Sequence, residues 1–279
     1  MKLSELRQLL ADHDLCLTKS LGQNFLHDGN QVRRILEAAQ LGLADRVLEI
    51  GPGLGALTEG LLERAGEVVA IELDPRLGPI LRERFKEALN LRLVQANALE
   101  YLRHQPCDWS GWKLVANLPY SVASPLLVEL ALSQPGPERM VATVQREVAR
   151  RLMARAGHSD YGLLTLLVQQ QYRPAREFVI SASCFFPPPG VDSACVVLER
   201  RTPSLVSPDL IATFVRLAKR GFSQRRKMMF KLLKHDWAED RLAVGFAATG
   251  LSPQVRAEAV SLEQFVQLAR YLQPPGPVG

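Results

Sequence analysis

The sequence predicts an α/β chain: a largely parallel sheet covered on both faces, followed by a small all-helical domain. Three observations predict it. Through residue 200, short runs rich in Val, Ile and Leu alternate with helical patterns. Those runs are apolar throughout instead of alternating with polar residues, as expected for strands buried on both faces. Beyond Leu210 the pattern is helical only.

The chain opens on MKLSELRQLLADHDL, which reads as an amphipathic helix with Ser4 as its cap. It lacks the apolar core and small-residue cleavage site of a signal peptide. RVLEI (46–50), EVVAI (67–71), LRLVQ (91–95), WKLVA (112–116) and RMVATV (139–144) read as strands. ALTEGLLERA and RLGPILRERFKEAL read as helices between them. EFVISA and ACVVLERR read as further strands, antiparallel at one edge. YGLLTLLVQQQY fits helix or strand equally. RRTPSLVSPDL (200–210) reads as a linker. Helices follow at 208–221, 226–235, 238–248 and 261–272, with Gly250 and Pro253 dividing the last two. The expected domains are 1–201 and 202–279, without internal repeats.

At 279 residues and 47% apolar content, the chain can build one large core or two ordinary ones, and disorder is excluded. No run of about 18 apolar residues occurs, so no membrane span is expected. Cys16, Cys107, Cys184 and Cys195 show no C-x-x-C spacing. That suggests buried thiols in a reduced, cytoplasmic protein with no metal cluster. The net charge of +5 is unevenly spread: residues 201–279 hold twelve Lys and Arg against six Asp and Glu. Such an excess points to a polyanion partner, although a solvated face would also explain it.

Gly51, Gly53 and Gly55 lie between the first parallel strand and its helix. Glycines there permit a tight turn and close approach of a ligand to the backbone. The spacing is G-x-G-x-G, unlike the G-x-G-x-x-G of dinucleotide binders, and no Lys-Ser/Thr follows, so a P-loop is excluded. Glu49 precedes the loop. Glu72 ends the second strand, where a carboxylate can accept hydrogen bonds from both hydroxyls of a ribose. Asn97 ends the third strand and can bond an adenine edge, or serve as an Asx turn opening the next helix.

The fourth strand ends in Asn117-Leu118-Pro119-Tyr120. Asn and Pro suit a turn after a strand. The same residues suit a base bearing an exocyclic amine, a poor nucleophile because its lone pair is delocalised into the ring. The Asn117 side-chain oxygen and the Leu118 carbonyl can accept both N–H groups and favour a pyramidal nitrogen. Tyr120 can stack on the base and soften the positive charge that develops on it. Pro119 fixes the turn and brings no competing N–H.

KSLGQNFL (19–26), LEIGPGLGALT (48–58), IELD (71–74), NAL (97–99), NLPY (117–120), FFPPPGVDSA (185–194) and FSQRRKMM (222–229) occur in that order. In these blocks the chain resembles the rRNA adenine N6-dimethyltransferase family, most closely its bacterial small-subunit branch. The resemblance runs nearly end to end. It implies a Rossmann-like class I S-adenosylmethionine-dependent methyltransferase domain with a helical, RNA-binding C-terminal domain. It implies S-adenosylmethionine as cofactor and transfer of four methyl groups to two adjacent adenosines in the 3′-terminal hairpin of 16S rRNA, within the immature 30S subunit. Carried over residue by residue, it places Asn24, Leu26, Gly51, Gly53, Glu72, Asn97 and Asn117 at the cofactor. It places Asn117, Leu118, Tyr120 and Phe185 at the target base, Phe185 packing on the face opposite Tyr120. A core phenylalanine before a polyproline turn is the other reading of Phe185.

Two positions depart from the family. Asn97 stands where Asp is usual, and Gly190 where Lys is common. The basic stretch 216–234 contains Arg220, Arg225, Arg226 and Lys227, assigned to RNA, and no acid occurs between Leu210 and His235. A monomer is expected. Three other readings stay open: a 23S rRNA methyltransferase of the antibiotic-resistance type, an assembly factor whose binding outweighs its catalysis, and an NAD-dependent oxidoreductase, which the glycine spacing disfavours.

Overall fold

A computed structural model describes residues 1–15, 23–104, 108–224 and 226–274. Cys16, Cys107, Arg225 and the first part of the KSLGQNFL block lie outside the described residues. The chain divides into two compact units: Met1–Ala149 with Pro174–Arg200, and Arg150–Arg173 with Arg201–Gly279.

The first unit is built on a seven-stranded sheet. In chain order its strands are β2 (Arg46–Ile50), β3 (Glu67–Glu72), β4 (Leu91–Gln95), β5 (Trp112–Asn117), β6 (Arg139–Gln145), β7 (Tyr172–Ile180) and β9 (Ser193–Arg200). A separate pair joins β1 (Phe25–Leu26) to β8 (Phe185–Phe186). The order across the large sheet is β4-β3-β2-β5-β6-β9-β7. Strands β4, β3, β2, β5 and β6 are parallel, and β9 runs antiparallel to β6. The order reverses between β2 and β5. Open α/β sheets bind ligands at such a point, beyond the carboxyl ends of the strands.

The parallel strands form where the apolar runs predict them, because Val, Ile and Leu suit a pleated surface buried on both faces. Residues 47–50 of β2 and 68–72 of β3 are buried without a break. The core on one face gathers Ile35, Leu36, Val47, Leu61, Val68, Val115, Val141 and Val197. Helix α2 (Gly29–Ala39) supplies two of these and is capped by Asp28, whose carboxylate accepts from Asn30 N and Gln31 N. Helix α1 (Leu3–Asp12) has its N-cap at Lys2, not Ser4. Its first free donor, Lys2 N, is satisfied from inside the helix by Glu5 Oε2 at 2.8 Å.

The second unit gathers α8 (Leu163–Gln169), α9 (Ile211–Gly221), α10 (Met229–Leu233), α11 (Glu239–Ala248) and α12 (Leu262–Leu272). The ambiguous YGLLTLLVQQQY segment is thus mainly helix. Residues 150–173 pack with the helices for specific reasons. Tyr161 OH donates to Val260 O at 2.9 Å, Gly157 N donates to Glu258 O at 2.8 Å, and the Tyr161 ring meets Phe222 edge-on. The stretch read as a linker is tied down as well: Arg201 N donates to Gln171 O at 2.7 Å and Leu205 N to Gln170 O at 3.2 Å. Helix α10 is shorter than the expected 226–235, and residues 222–224 and 226–228 lie outside helices, between α9 and α10.

Candidate active site

A cleft in the first unit lies at the carboxyl ends of β2, β3, β4 and β5. Asn24, Leu26, Gly51, Gly53, Glu72, Asn97, Asn117, Leu118 and Tyr120 all line it. The sequence scatters these residues over almost a hundred positions, and the parallel topology brings them together.

The glycine loop forms one wall. Gly51 and Gly53 have φ of +67° and +62°, in the region where a side chain is strained. A Cβ on Gly53 would stand 2.8 Å from the ring of Phe25. The loop therefore needs glycine both for its turn and for the close approach of β1 above it. Phe25 pairs with Phe186 and Leu26 with Phe185, so residues far apart in sequence cover the loop together.

Glu72 is buried, and each of its carboxylate oxygens accepts a backbone N–H: Gly53 N at 3.1 Å and Asp74 N at 2.9 Å. These bonds fix the carboxylate at the mouth of the glycine loop and leave lone pairs for a ligand's hydroxyls. Burial pushes its pKa up, against the pull of these bonds. Glu49 is more deeply buried, and Thr58 Oγ1 donates to its Oε2 at 2.7 Å. Burial, with a smaller contribution from the Glu72 charge, pushes Glu49 up to about 8. Sequence reasoning noted Glu49 without giving it a place in the pocket, and the structure puts it in the lining. Asp74 goes the other way, to about 2, chiefly because the Arg76 guanidinium bonds it.

Asn97 both lines the cleft and starts helix α5 (Ala98–His104). Its Oδ1 accepts from Leu99 N at 3.0 Å and Glu100 N at 3.4 Å. Asn97 thus makes the Asx turn and also lines the cleft. The cap occupies the oxygen, so the atom of this amide left to face a ligand is a donor.

Asn117 ends β5 beside Thr143 of β6, and Leu118 N donates to Thr143 O at 3.1 Å. Asn117 Nδ2 donates to Asn24 O at 3.1 Å. Its Oδ1 is buried and has no hydrogen-bond partner among the described residues. A buried orphan acceptor is costly in a finished fold, and a ligand N–H would satisfy it. Pro119 closes the turn, its carbonyl accepting Val122 N at 3.1 Å. The Tyr120 hydroxyl bonds Ser193 Oγ, a partner that sequence reasoning missed because nothing local to either residue announces it.

Phe185 is not brought to the cleft. It is 2% exposed and sits in the apolar core with Leu26, Phe178 and Ile180. Cross-strand pairing with Leu26 turns it inward, which favours the core reading in this structure. The cations assigned to RNA also divide. Arg220 is bonded to Asp236 through its Nε, and Arg216 Nη2 reaches the same carboxylate at 2.8 Å. The basic run has no acid within it, but Asp236 directly follows it and neutralises part of it. Arg226 and Lys227 are exposed and make no ion pair among the described residues.

A family model described as ribosomal RNA adenine dimethylase matches residues 16–274. The chain is 38% identical to the ribosomal RNA small subunit methyltransferase A of Moorella thermoacetica, over 95% of this chain and 96% of that protein. It is 36% identical to the protein of the same name from Streptococcus pneumoniae, over 97% of each. Among solved structures, a dimethyladenosine transferase from Plasmodium falciparum matches with TM-score 0.72 and 25% identity, over 88% of this chain and 95% of that one. The 23S rRNA methyltransferase ErmE matches with TM-score 0.67 and 28% identity, over 89% of this chain and 99% of that one. With the glycine loop, Glu72 and the Asn117–Tyr120 turn converging on one cleft, these matches place the chain in the ribosomal RNA adenine dimethylase family.

Proposed function

We propose that this chain is an S-adenosylmethionine-dependent dimethyltransferase acting on N6 of two adjacent adenosines near the 3′ end of small-subunit rRNA. Its substrate is the immature 30S subunit, and it acts as a monomer. The observation that carries the reading is the Asn117 side chain, held through its nitrogen by Asn24 and left with an unpartnered, buried oxygen in the cleft.

The cleft suits the cofactor. Gly51 and Gly53 leave backbone where a side chain would stand, and Glu72 offers a fixed carboxylate for a ribose. S-adenosylmethionine held there supplies an electrophilic methyl group. Asn117 Oδ1 and the Leu118 carbonyl accept the two N6 hydrogens, which frees the nitrogen lone pair. The Tyr120 ring stacks on the base and stabilises the positive charge that develops on it. Positioning of donor and acceptor supplies most of the acceleration. The methylated nitrogen is strongly acidic, so no side chain is required as a general base.

The small-subunit reading is preferred to the 23S reading because the curated relatives named for the small subunit are 35–38% identical nearly end to end, against 28% for ErmE. Label transfer from S-adenosylmethionine to unmethylated small subunits, followed by nucleoside analysis, tests it. N6,N6-dimethyladenosine in the small-subunit rRNA is the expected product. Label confined to large-subunit rRNA would favour the alternative, and binding without transfer would leave an assembly role alone.

A further inference from the structure

Ser193 is fully buried and is the first residue of β9. It stands opposite Gln145 in an antiparallel ladder that runs the length of β6. Its backbone position is therefore set by the sheet. Its hydroxyl bonds the Tyr120 hydroxyl, which sits in the turn beyond β5. That turn is held at two places. Leu118 N is tied to Thr143 O of β6, and the far end of the Tyr120 side chain is tied to β9.

The segment leading to Ser193 also reaches the opposite wall. Phe186 pairs with Phe25, and the Phe25 ring occupies the space above Gly53. Residues 185–193 thus join the strand covering the glycine loop at one end to the ring of Tyr120 at the other.

We propose that Ser193 is a positioning residue for methyl transfer: its hydroxyl fixes where the Tyr120 ring lies against the acceptor base. This rests on the functional reading above. A ring held only at Cα turns about two side-chain torsions. Bonding its para hydroxyl to a residue of the sheet stops the swing about the first of them before the base arrives. Stacking surface alone would bind the base, whereas a fixed ring also keeps the acceptor nitrogen in line with the methyl group.

A double-mutant cycle with the full-length chain and unmethylated small subunits tests this by single-turnover methyl transfer. Tyr120→Phe and Ser193→Ala should each slow the methyl-transfer step about tenfold, and the double variant should be no slower than either single one. Affinity for S-adenosylhomocysteine, measured by calorimetry, should stay at the wild-type value in all three. A double variant about a hundredfold slower would overturn the proposal, since Ser193 would then act by some route other than Tyr120. Wild-type rates in Ser193→Ala would also overturn it. Should Ser193→Ala fail to bind S-adenosylhomocysteine, Tyr120→Phe carries the test alone, and an undiminished rate there would refute it. No transfer by the wild type would instead overturn the functional reading itself, a result distinct from any pattern among the variants.

Discussion

Asn117 Nδ2 donates to the backbone carbonyl of Asn24 across 3.1 Å, and this bond decides which way the Asn117 amide faces. With the nitrogen committed, the oxygen is the atom presented to the cleft, where it has no partner among the described residues. Asn117→Ala should therefore abolish methyl transfer while leaving affinity for S-adenosylhomocysteine within about tenfold. Asn117→Asp tests the same orientation, because a carboxylate has no N–H for Asn24. Both rates come from single-turnover label transfer, and a wild-type rate in the Ala variant would remove Asn117 from the chemistry.

Glu72→Ala should act on binding. A fixed carboxylate that accepts two hydroxyls contributes roughly 2–3 kcal/mol, so affinity for S-adenosylhomocysteine should fall by about thirtyfold or more. Its loss also strips Gly53 N and Asp74 N of their acceptor, so the glycine loop should loosen. Calorimetry decides the first point. Unchanged affinity would mean that the carboxylate serves the loop alone.

Asn97→Asp should tighten the same ligand. One carboxylate oxygen can keep the bonds to Leu99 N and Glu100 N while the other accepts an adenine amino group. A negative charge at the start of α5 is favoured by the helix dipole as well. The expected gain is about 1 kcal/mol, read as a severalfold lower dissociation constant. Equal affinities would show that the adenine edge does not meet this side chain.

Glu49 predicts a pH dependence. Its pKa, near 8 in the folded state, lies above its ordinary value of 4.5, so the folded protein binds more protons than the unfolded chain between these values. Stability from this group is therefore present at low pH and falls as pH rises toward 8. Glu49→Gln keeps an acceptor for Thr58 and removes the titration. Its stability advantage over the wild type, read from denaturant unfolding, should grow as pH rises from 4.5 to about 8 and level off above that, reaching on the order of a few kcal/mol. A difference independent of pH would show that Glu49 is ionised in the fold.

Arg226 and Lys227 should carry RNA contact more than Arg220, whose charge is shared with Asp236. Replacing both with Ala should weaken small-subunit binding and reduce the slope of log affinity against log salt by roughly 1.5. Affinity for S-adenosylmethionine should not change. Arg220→Ala should leave the slope near the wild-type value. A reversed pattern would place the RNA backbone along α9 instead of the loop after it.

The five parallel strands are legible in the sequence because burial on both faces leaves continuous apolar runs that local patterning can detect. The pocket lining is legible for the same reason, since strand ends in a parallel sheet converge on one edge. What is not legible depends on contacts between distant segments. Phe25-Leu26 and Phe185-Phe186 are each too short to read as strands and become strands only by pairing with one another. The Tyr120–Ser193 bond, the inward turn of Phe185 and the packing of Tyr161 with Phe222 are tertiary in the same sense. Asn97 shows the reverse case: turn and ligand contact read as alternatives in sequence, whereas one side chain can serve both.

Because the two units interleave along the chain, the ribosome delivers them out of step with their completion. A nascent chain that has reached Gln145 already holds the glycine loop, Glu72 and Asn117, but β1 still waits for β8 and Tyr120 for Ser193. The next segment to emerge carries Tyr161, whose aromatic neighbour Phe222 has not yet been made. Two unfinished bodies therefore share the chain until Arg200 has emerged, when the first can close. Domains otherwise fold as units in order of synthesis. Here the finished cleft arrives late in translation, and no single cut in the chain yields either unit whole.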